Sequence, residues 1–320
     1  MINNYIFVTV SLINDLEAVS YSIYKLNKFY NISKYVVIVP KIDVKPFRSK
    51  LCYFKNIEIL SEDEVCDKSQ FLNLCNYFLK NKDNYISFRK SWYYQQILKL
   101  SYVLDEKHFS DNNLVIWDAD TIPIKKIKLF DKFNQPYIYG SGYEYHNPYF
   151  FTIKNLLGPN SSLLNLSCIT QFVALNLKIR KDLRKLLLDF NSKYGIENNH
   201  FFVANALLKS LSIPINSSSI IESKFSEYEF IGNFILNKYK RSKKEQKRIK
   251  FFRNYVDGNL NIIQKSILYF LDYKHLTYEK KYIYGENQSY LRFWICILRD
   301  LSIYKYFINI KKIIFSRIDI

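Results

Sequence analysis

Glycine and proline are scarce in this 320-residue chain, seven of each, which excludes collagen-like and low-complexity classes. Cysteine is scarce and odd in number. Cys52, Cys66, Cys75, Cys168 and Cys296 are scattered and form no C-x-x-C pair, so neither a disulfide framework nor a zinc site is expected. A long apolar run is also missing: the longest uncharged stretch, Asn155–Leu177, holds Gly158, Pro159 and several Ser and Asn. It cannot span a bilayer, which takes roughly 18 or more mostly apolar residues. The N-terminus lacks a basic n-region and Asp15 cuts off any apolar continuation, so no signal peptide is evident. A reduced, cytoplasmic chain is the expectation.

Positive charge is abundant. Lys and Arg total 47 against 29 Asp and Glu, a formal net charge of +18. With 48% hydrophobic and 24% charged residues the composition is globular, and the length suits one large domain. Aromatics reach 18%, with 28 Tyr and 25 Phe. Together with plentiful Asn, Lys and Ile this reads as AT-rich codon bias, so a single Tyr says little about function. The charge is uneven: Lys238, Lys240, Arg241, Lys243, Lys244, Lys247, Arg248, Lys250 and Arg253 are opposed in their segment only by Glu245. A solvated basic helix, attraction to an anionic membrane and nucleic-acid binding all accommodate it; no nucleic-acid motif accompanies it, and no nucleic acid is expected. The stretch Tyr290–Ile320 mixes Trp294, Phe307 and many Ile with Arg and Lys, which suits either an interfacial amphipathic helix or a core-facing one.

The first hundred residues alternate strand and helix signals. Short β-rich runs occur at Tyr5–Val10, Tyr35–Val39, Ile57–Leu60 and Asn113–Trp117. Between them, apolar residues at helical spacing (Leu16, Val19, Ile23, Leu26, Tyr30) and the segments Phe71–Leu79 and Ser91–Leu104 predict helices. Strands separated by helices predict an open, Rossmann-type α/β sheet with a nucleotide site at the strands' carboxyl ends. Beyond residue 120 the rhythm changes to a strand-and-turn signal at Tyr137–Tyr143, mostly helical stretches, and the basic C-terminal part.

The sharpest motif is Trp117-Asp118-Ala119-Asp120-Thr121, two carboxylates at the end of an apolar strand. In a tight turn they can share one hard divalent cation, Mn2+ or Mg2+, with diphosphate oxygens. Two enzyme classes use D-x-D this way. A haloacid-dehalogenase-type phosphatase would employ Asp118 as nucleophile, but such folds carry the motif on the first strand and add a paired-Asp motif that is lacking here. A GT-A glycosyltransferase places D-x-D after about 100 residues of nucleotide-binding α/β, which position 118 matches. In the preceding helix Tyr93, Ile97, Leu100 and Leu104 form a core stripe, Gln95, Lys99 and Tyr102 lie opposite, and Gln96 sits beside the stripe. Buried amides there would need partners, from a nucleotide or from the metal-bearing turn.

Four segments in order, SWYYQQILKL (Ser91–Leu100), LVIWDADTIP (Leu114–Pro123), EYHNPYF (Glu144–Phe150) and FSEYEFIGN (Phe225–Asn233), resemble the signature segments of a bacterial family of GT-A-type glycosyltransferases from lipopolysaccharide and capsule gene clusters. The resemblance runs from about Tyr5 to Tyr255. One departure stands out: where the family tends to have His after Gln or an acidic residue, the stretch Ser167–Phe172 has Phe172. The resemblance implies a metal-dependent transferase with a nucleotide-sugar donor, a glycan or lipid-linked glycan acceptor, and a cytoplasmic site peripheral to the inner membrane.

For such an enzyme an inverting reaction needs a carboxylate base about 100 residues after D-x-D, and Glu227 and Glu229 are the candidates. Ser226 as N-cap puts Glu229 at capping-box spacing, which favours Glu227 as base. Asp118 and Asp120 are the metal candidates, with His275 as a possible third ligand. Glu144, Tyr145 and His146 resemble an acceptor-facing loop. Thr9, Val10, Asp63, Gln95, Gln96, Lys99, Trp117 and Arg253 are the expected donor contacts, Arg253 offsetting the leaving diphosphate. The expected organisation is a GT-A domain at 1–236, with a nucleotide half 1–121 and an acceptor half 122–236, followed by a basic, helical extension at 237–320.

Overall fold

Strand alternation sets the layering. In β1 (Asn4–Val10) Ile6, Val8 and Val10 turn to one face and Phe7 to the other, and all four are buried. A strand apolar on both sides belongs inside a sheet that is covered on both faces. The computed structural model describes residues 4–79, 89–142, 146–213, 223–254, 260, 262–278, 293–294 and 297–298. It sets β1 between β2 (Asn31–Val39) and β4 (Asn113–Trp117), both parallel to it. Outside them lie β3 (Ile57–Ser61), parallel to β2, and β7 (Phe172–Leu175), antiparallel to β4. The order β3-β2-β1-β4-β7 is the expected open α/β sheet. Its chain runs outward from β1 first to one side and then to the other, so the carboxyl ends of β1 and β4 flank a topological switch point, where open sheets hold ligands.

Helices α1 (Leu16–Phe29) and α2 (Val44–Leu51) cover the Phe7 face, packing Val19, Ile23, Leu26, Phe47 and Leu51 against it. After the short turn α3 (Glu62–Val65), the opposite face is covered by α4 (Lys68–Leu79), α5 (Lys90–Leu104), α6 (Asn147–Leu157), α7 (Leu177–Lys193), α8 (Phe202–Ser212) and α9 (Glu227–Lys238). The expected single stripe on α5 is too narrow. Gln96, Lys99 and Tyr102 are buried along with Tyr93, Ile97 and Leu104, because α5 lies between β1 and a layer of α4, α7 and α8.

The basic segment after Lys238 is not a helix. A one-turn 3-10 helix at Lys243–Glu245 leads into β8 (Lys247–Arg248), which pairs with β6 (Tyr139–Gly140). Next, β9 (Phe251–Asn254) and β10 (His275–Tyr278) join β5 (Thr121–Pro123) in a sheet of order β5-β10-β9. The described part of 237–320 is therefore stitched by backbone pairing to strands before residue 236. Helix α10 (Ile262–Phe270) connects β9 to β10. Tyr290–Ile320 lies almost wholly outside the described residues. Among those described, no helix is long and apolar enough to cross a membrane, and Cys52, Cys66, Cys75 and Cys168 are free thiols.

One face of α9 supports an irregular segment, 162–168, that would otherwise bury unpaired amides. Asn237 bonds both backbone groups of Ser162, Asn233 Oδ1 accepts from Leu164 N (2.8 Å), and Glu229 Oε1 accepts from Cys168 N (3.1 Å). These residues are four apart and so share a helix face. Gly232, on the next turn, meets the Cys168 thiol with no room for a Cβ. Glu229 is thus no base candidate: it is fully buried against a backbone amide. The expected capping box forms by half, since Ser226 Oγ accepts from Glu229 N (3.5 Å) while the Glu229 carboxyl is spent on Cys168.

Burial pushes the Glu229 carboxyl from 4.5 up to about 7, against the downward pull of the Ser167 hydroxyl and the Cys168 amide. A folded-state pKa above the unfolded one gives a stabilising contribution that is complete below the unfolded value and lost as pH rises through the folded value. Relative to Glu229→Gln, the wild-type unfolding free energy is expected to fall by roughly 2–3 kcal/mol between about pH 5 and pH 8, read from urea titrations. A difference independent of pH would show that the carboxyl does not titrate in that window.

Candidate active site

The loop after β1 and the turn after β4 diverge at the switch point and open a cavity of about 550 Å3. Leu12, Asn14 and Asp15 line it from the β1 side, Asp118 and Asp120 from β4, and Gln95, Gln96 and Lys99 from α5. Ser226, Glu227 and Tyr228 at the start of α9, with Arg253 and Tyr278 from β9 and β10, close the other side. That volume falls within the range of small-ligand sites.

Its wall is organised by one buried ammonium. Lys99 Nζ donates to Asp118 Oδ1 (2.5 Å) and to Glu227 Oε1 (2.7 Å), and the Lys99 and Glu227 side chains are each only 4% exposed. The Tyr228 hydroxyl donates to the same Asp118 oxygen (2.5 Å), and Glu227 N donates to Gln96 Oε1 (3.0 Å). Gln171 lies between a carboxylate and a guanidinium, which fixes its amide orientation. Its nitrogen donates to Asp118 Oδ2 (2.5 Å) and its oxygen accepts from Arg253 (2.8 Å). Gln171 also adopts a left-handed backbone, φ 65, and its carbonyl accepts from Asp118 N (3.0 Å). A non-glycine residue pays for that conformation with strain of order 1 kcal/mol or more, and here it brings both the carbonyl and the amide nitrogen of Gln171 onto Asp118.

The electrostatics follow from one cation serving two acids. Burial works to lower the Lys99 pKa, but Asp118 and Glu227 together outweigh it and hold the value above the ordinary range. Glu227 is pushed upward by burial foremost and by the charge of Asp118, against the pull of Lys99. Burial raises the Tyr228 hydroxyl well above its usual value, and the charges of Asp118, Glu227 and Asp120 add to this. It therefore stays protonated and donates.

Several expected donor contacts lie elsewhere. Thr9 is fully buried, donating to the Trp117 carbonyl (2.8 Å) and bonding the Tyr35 hydroxyl (2.9 Å). Val10 belongs to the core. Trp117 is buried on the far face of β4, its indole N–H donating to the Thr121 carbonyl (2.8 Å). Asp63 is exposed in α3 and away from the cavity lining. His146 reaches the Ser223 carbonyl (2.9 Å) and packs its ring 4.6 Å from Tyr149, which itself lines the cavity. Glu144 and Tyr145 lie outside the described residues. His275 stacks on Phe251 (4.8 Å, 7°) and abuts Trp117 and Phe172; burial pushes its pKa down to about 3, and it does not line the cavity.

The metal expectation divides between its two residues. Both Asp118 oxygens carry donors from the cluster, whereas Asp120 lines the cavity, with the Thr121 hydroxyl 3.4 Å from its Oδ1. Among the described residues no three His, Cys, Asp or Glu side chains gather around one point. A cation held by one carboxylate, with water and phosphate oxygens completing the shell, is the arrangement Mg2+ favours. Asp120 fits that role. Residues passed over at the sequence level include Tyr228, set between the two Glu candidates, and Gln171, inside the very stretch noted for its departure. Arg89, Trp92, Tyr149 and Tyr278 line the cavity as well; Trp92 and Tyr149 fall inside the segments that carry the resemblance, while Arg89 and Tyr278 lie in none of them.

Residues 13–163, just under half of the chain, match the profile of a family of unknown function, DUF6492. Comparison with curated protein sequences gives no match. Mouse xyloside xylosyltransferase 1 in its apo form aligns over 86% of this chain and 97% of its own, at 10% identity and a TM-score of 0.42. The galactosyltransferase LgtC in complex with donor and acceptor sugar analogs aligns over 91% and 95%, at 9% identity and 0.41. The bifunctional glycosyltransferase WbbM, in an apo structure, aligns over 87% and 46%, at 11% identity and 0.38. At such values the functional reading rests on the geometry of the cavity.

Removing Lys99 would strand two carboxylates in its wall. Lys99→Met is expected to cost about 3–5 kcal/mol in urea unfolding, as loss of one partner from a buried ion cluster does. Adding Glu227→Gln should restore part of that loss. Equal stability of wild type and Lys99→Met would mean that the cluster is not dry.

Proposed function

We propose that this chain is a glycosyltransferase moving a sugar from a nucleotide-sugar donor to a glycan of the bacterial surface, of the lipopolysaccharide or capsule kind, carried on lipid at the inner leaflet. The observation that carries the reading is the cavity at the β1/β4 switch point. It presents Asp120 and Arg253 beside an Asp118–Lys99–Glu227 cluster of fixed geometry. The loop Leu12–Asp15 takes the place assigned from sequence to Thr9, Val10 and Asp63 in holding base and ribose. Gln95 lines the same wall from α5.

Asp120 would hold a divalent cation, Mn2+ or Mg2+, whose chemistry when bound is to offset charge on the leaving diphosphate. Arg253 adds a positive charge fixed through Gln171, which costs no reorganisation as charge develops. Glu227 takes the proton of the acceptor hydroxyl as the hydroxyl oxygen attacks the donor sugar, or orients that hydroxyl. Burial raises the Glu227 pKa above that of an ordinary carboxylate and so makes it more basic, and Lys99 keeps its carboxylate in place. Asp118 acts on this reading as the anchor of Lys99, Tyr228 and Gln171 rather than as a second metal ligand.

A thermal-shift panel of nucleoside diphosphates with Mn2+ tests the reading. One base should raise Tm by about 5 °C at a ligand concentration roughly 100 times Kd. Asp120→Asn should abolish the Mn2+-dependent part, and Arg253→Gln should weaken binding with or without the metal. No shift with any nucleotide, beside a clear one with orthovanadate, would favour the phosphatase alternative built on Asp118.

A further inference from the structure

Helix α10 reverses the usual pattern of a surface helix, in which polar residues face water. Ile262, Ile263, Tyr269 and Phe270 are 79%, 65%, 51% and 83% exposed. At 100° per residue these four and Ser266 fall within one arc of roughly 120°. The opposite side holds Leu268 and Gln264, both buried, and Leu268 packs with Phe252, Tyr273 and Leu276. The helix is thus anchored on one side and carries four large apolar side chains outward on the other. Contiguous exposed apolar surface of this kind marks an interaction site.

We propose that this face docks onto the surface of an anionic lipid bilayer, extending the membrane part of the reading above. The charge around it selects that occupant. Lys265 flanks the face on α10 itself. Lys125 Nζ stands 4.3 Å over the Tyr269 ring. Lys274 adjoins the C-terminal end of α10, and Lys250 lies beside Lys274, whose amide bonds the Lys250 carbonyl (2.8 Å). Opposing these four lysines is Asp272, shared by Lys125 (3.0 Å) and Lys274 (2.7 Å). An apolar patch rimmed by lysines on long stems matches acyl chains beneath anionic headgroups, with the ammonium groups rising to the phosphates. A second copy of this chain would bring the same excess of positive charge to the contact.

The position of the helix gives the docking a use. It lies between β9 and β10 in the chain and shares its core cluster with Phe252 of β9 and Leu276 of β10. Arg253 and Tyr278 of those same strands line the cavity. A bilayer held by α10 therefore stands one helix away from the layer that carries Arg253, within the region where an acceptor on a lipid carrier would arrive.

Vesicle co-sedimentation of the full chain tests this, with vesicles of phosphatidylcholine alone or with about 30% phosphatidylglycerol. Wild type should bind the anionic vesicles, and binding should fall steeply between about 25 mM and 500 mM salt. The double variant Ile263→Asp, Phe270→Asp should bind at least tenfold more weakly at unchanged Tm. In a second measurement the tryptophan introduced by Phe270→Trp should shift its emission to the blue on anionic vesicles. Equal binding by wild type and the double variant, or no blue shift, overturns the proposal. Self-association in sedimentation velocity that the double variant removes, without vesicle binding, would assign the face to a second copy. The nucleotide shift of the double variant should match that of wild type, so failure of the membrane proposal and failure of the transferase reading are read separately.

Discussion

The site depends on a single ammonium group with nowhere else to go. Lys99 is fixed on a helix buried all round, and it ties together three elements distant in sequence: α5, the turn after β4 and the first turn of α9. Taking each such charge out of water costs several kcal/mol, recovered only where the geometry is good and the remaining donors and acceptors are satisfied. Here the compensation is dense. Asp118 receives Lys99, Tyr228 and Gln171, while Glu227 receives Lys99 and sits in the first turn of α9, where the helix dipole favours a carboxylate.

Such a cluster needs backbone held to match it, and α9 supplies that as well. The helix face of Glu229, Asn233 and Asn237 bonds the backbone of 162–168, the segment that leads into Gln171. Gln171 can then hold its left-handed conformation and meet Asp118 with both its carbonyl and its amide. One end of α9 thus lends Glu227 and Tyr228 to the cavity, and its length supports the strand entry that completes the cluster. A shift of α9 would move both acids and the Gln171–Arg253 pair together.

What could be read from the sequence was what short-range periodicity encodes. The strands Tyr5–Val10 and Asn113–Trp117 and the helix spacing from Leu16 to Leu26 appear within a residue or so of expectation. The D-x-D at the carboxyl end of β4 does reach the cavity. Strand period also explains the main misplacement: Thr9 and Trp117 are close in sequence to cavity residues, but alternation turns both toward the face packed under α1 and α2. The contrast between Glu227 and Glu229 is similar, since two residues on a helix differ by about 200°, which sends one into the cavity and the other against Cys168. Arg253 meeting Gln171 needs a contact across more than eighty residues and two sheets, and nothing local signals it. The basic segment misled because charge alone does not distinguish a helix from the short strands β8 and β9.

The charge balance of the cavity bears on what it can take. Among its described lining residues Arg89, Lys99 and Arg253 face Asp15, Asp118, Asp120 and Glu227. With three cations facing four carboxylates, the wall carries no excess of positive charge. Lys99 is already committed to its carboxylates, and Arg253 shares its charge with Gln171. A diphosphate would therefore bring two or more negative charges into a space with no matching excess of positive charge, at a cost that rises as the effective dielectric falls. A divalent cation entering with the nucleotide and settling on Asp120 would cancel most of that charge. On this reading donor and metal bind together, and Asp118 serves to keep Lys99 from competing for the site where the cation belongs.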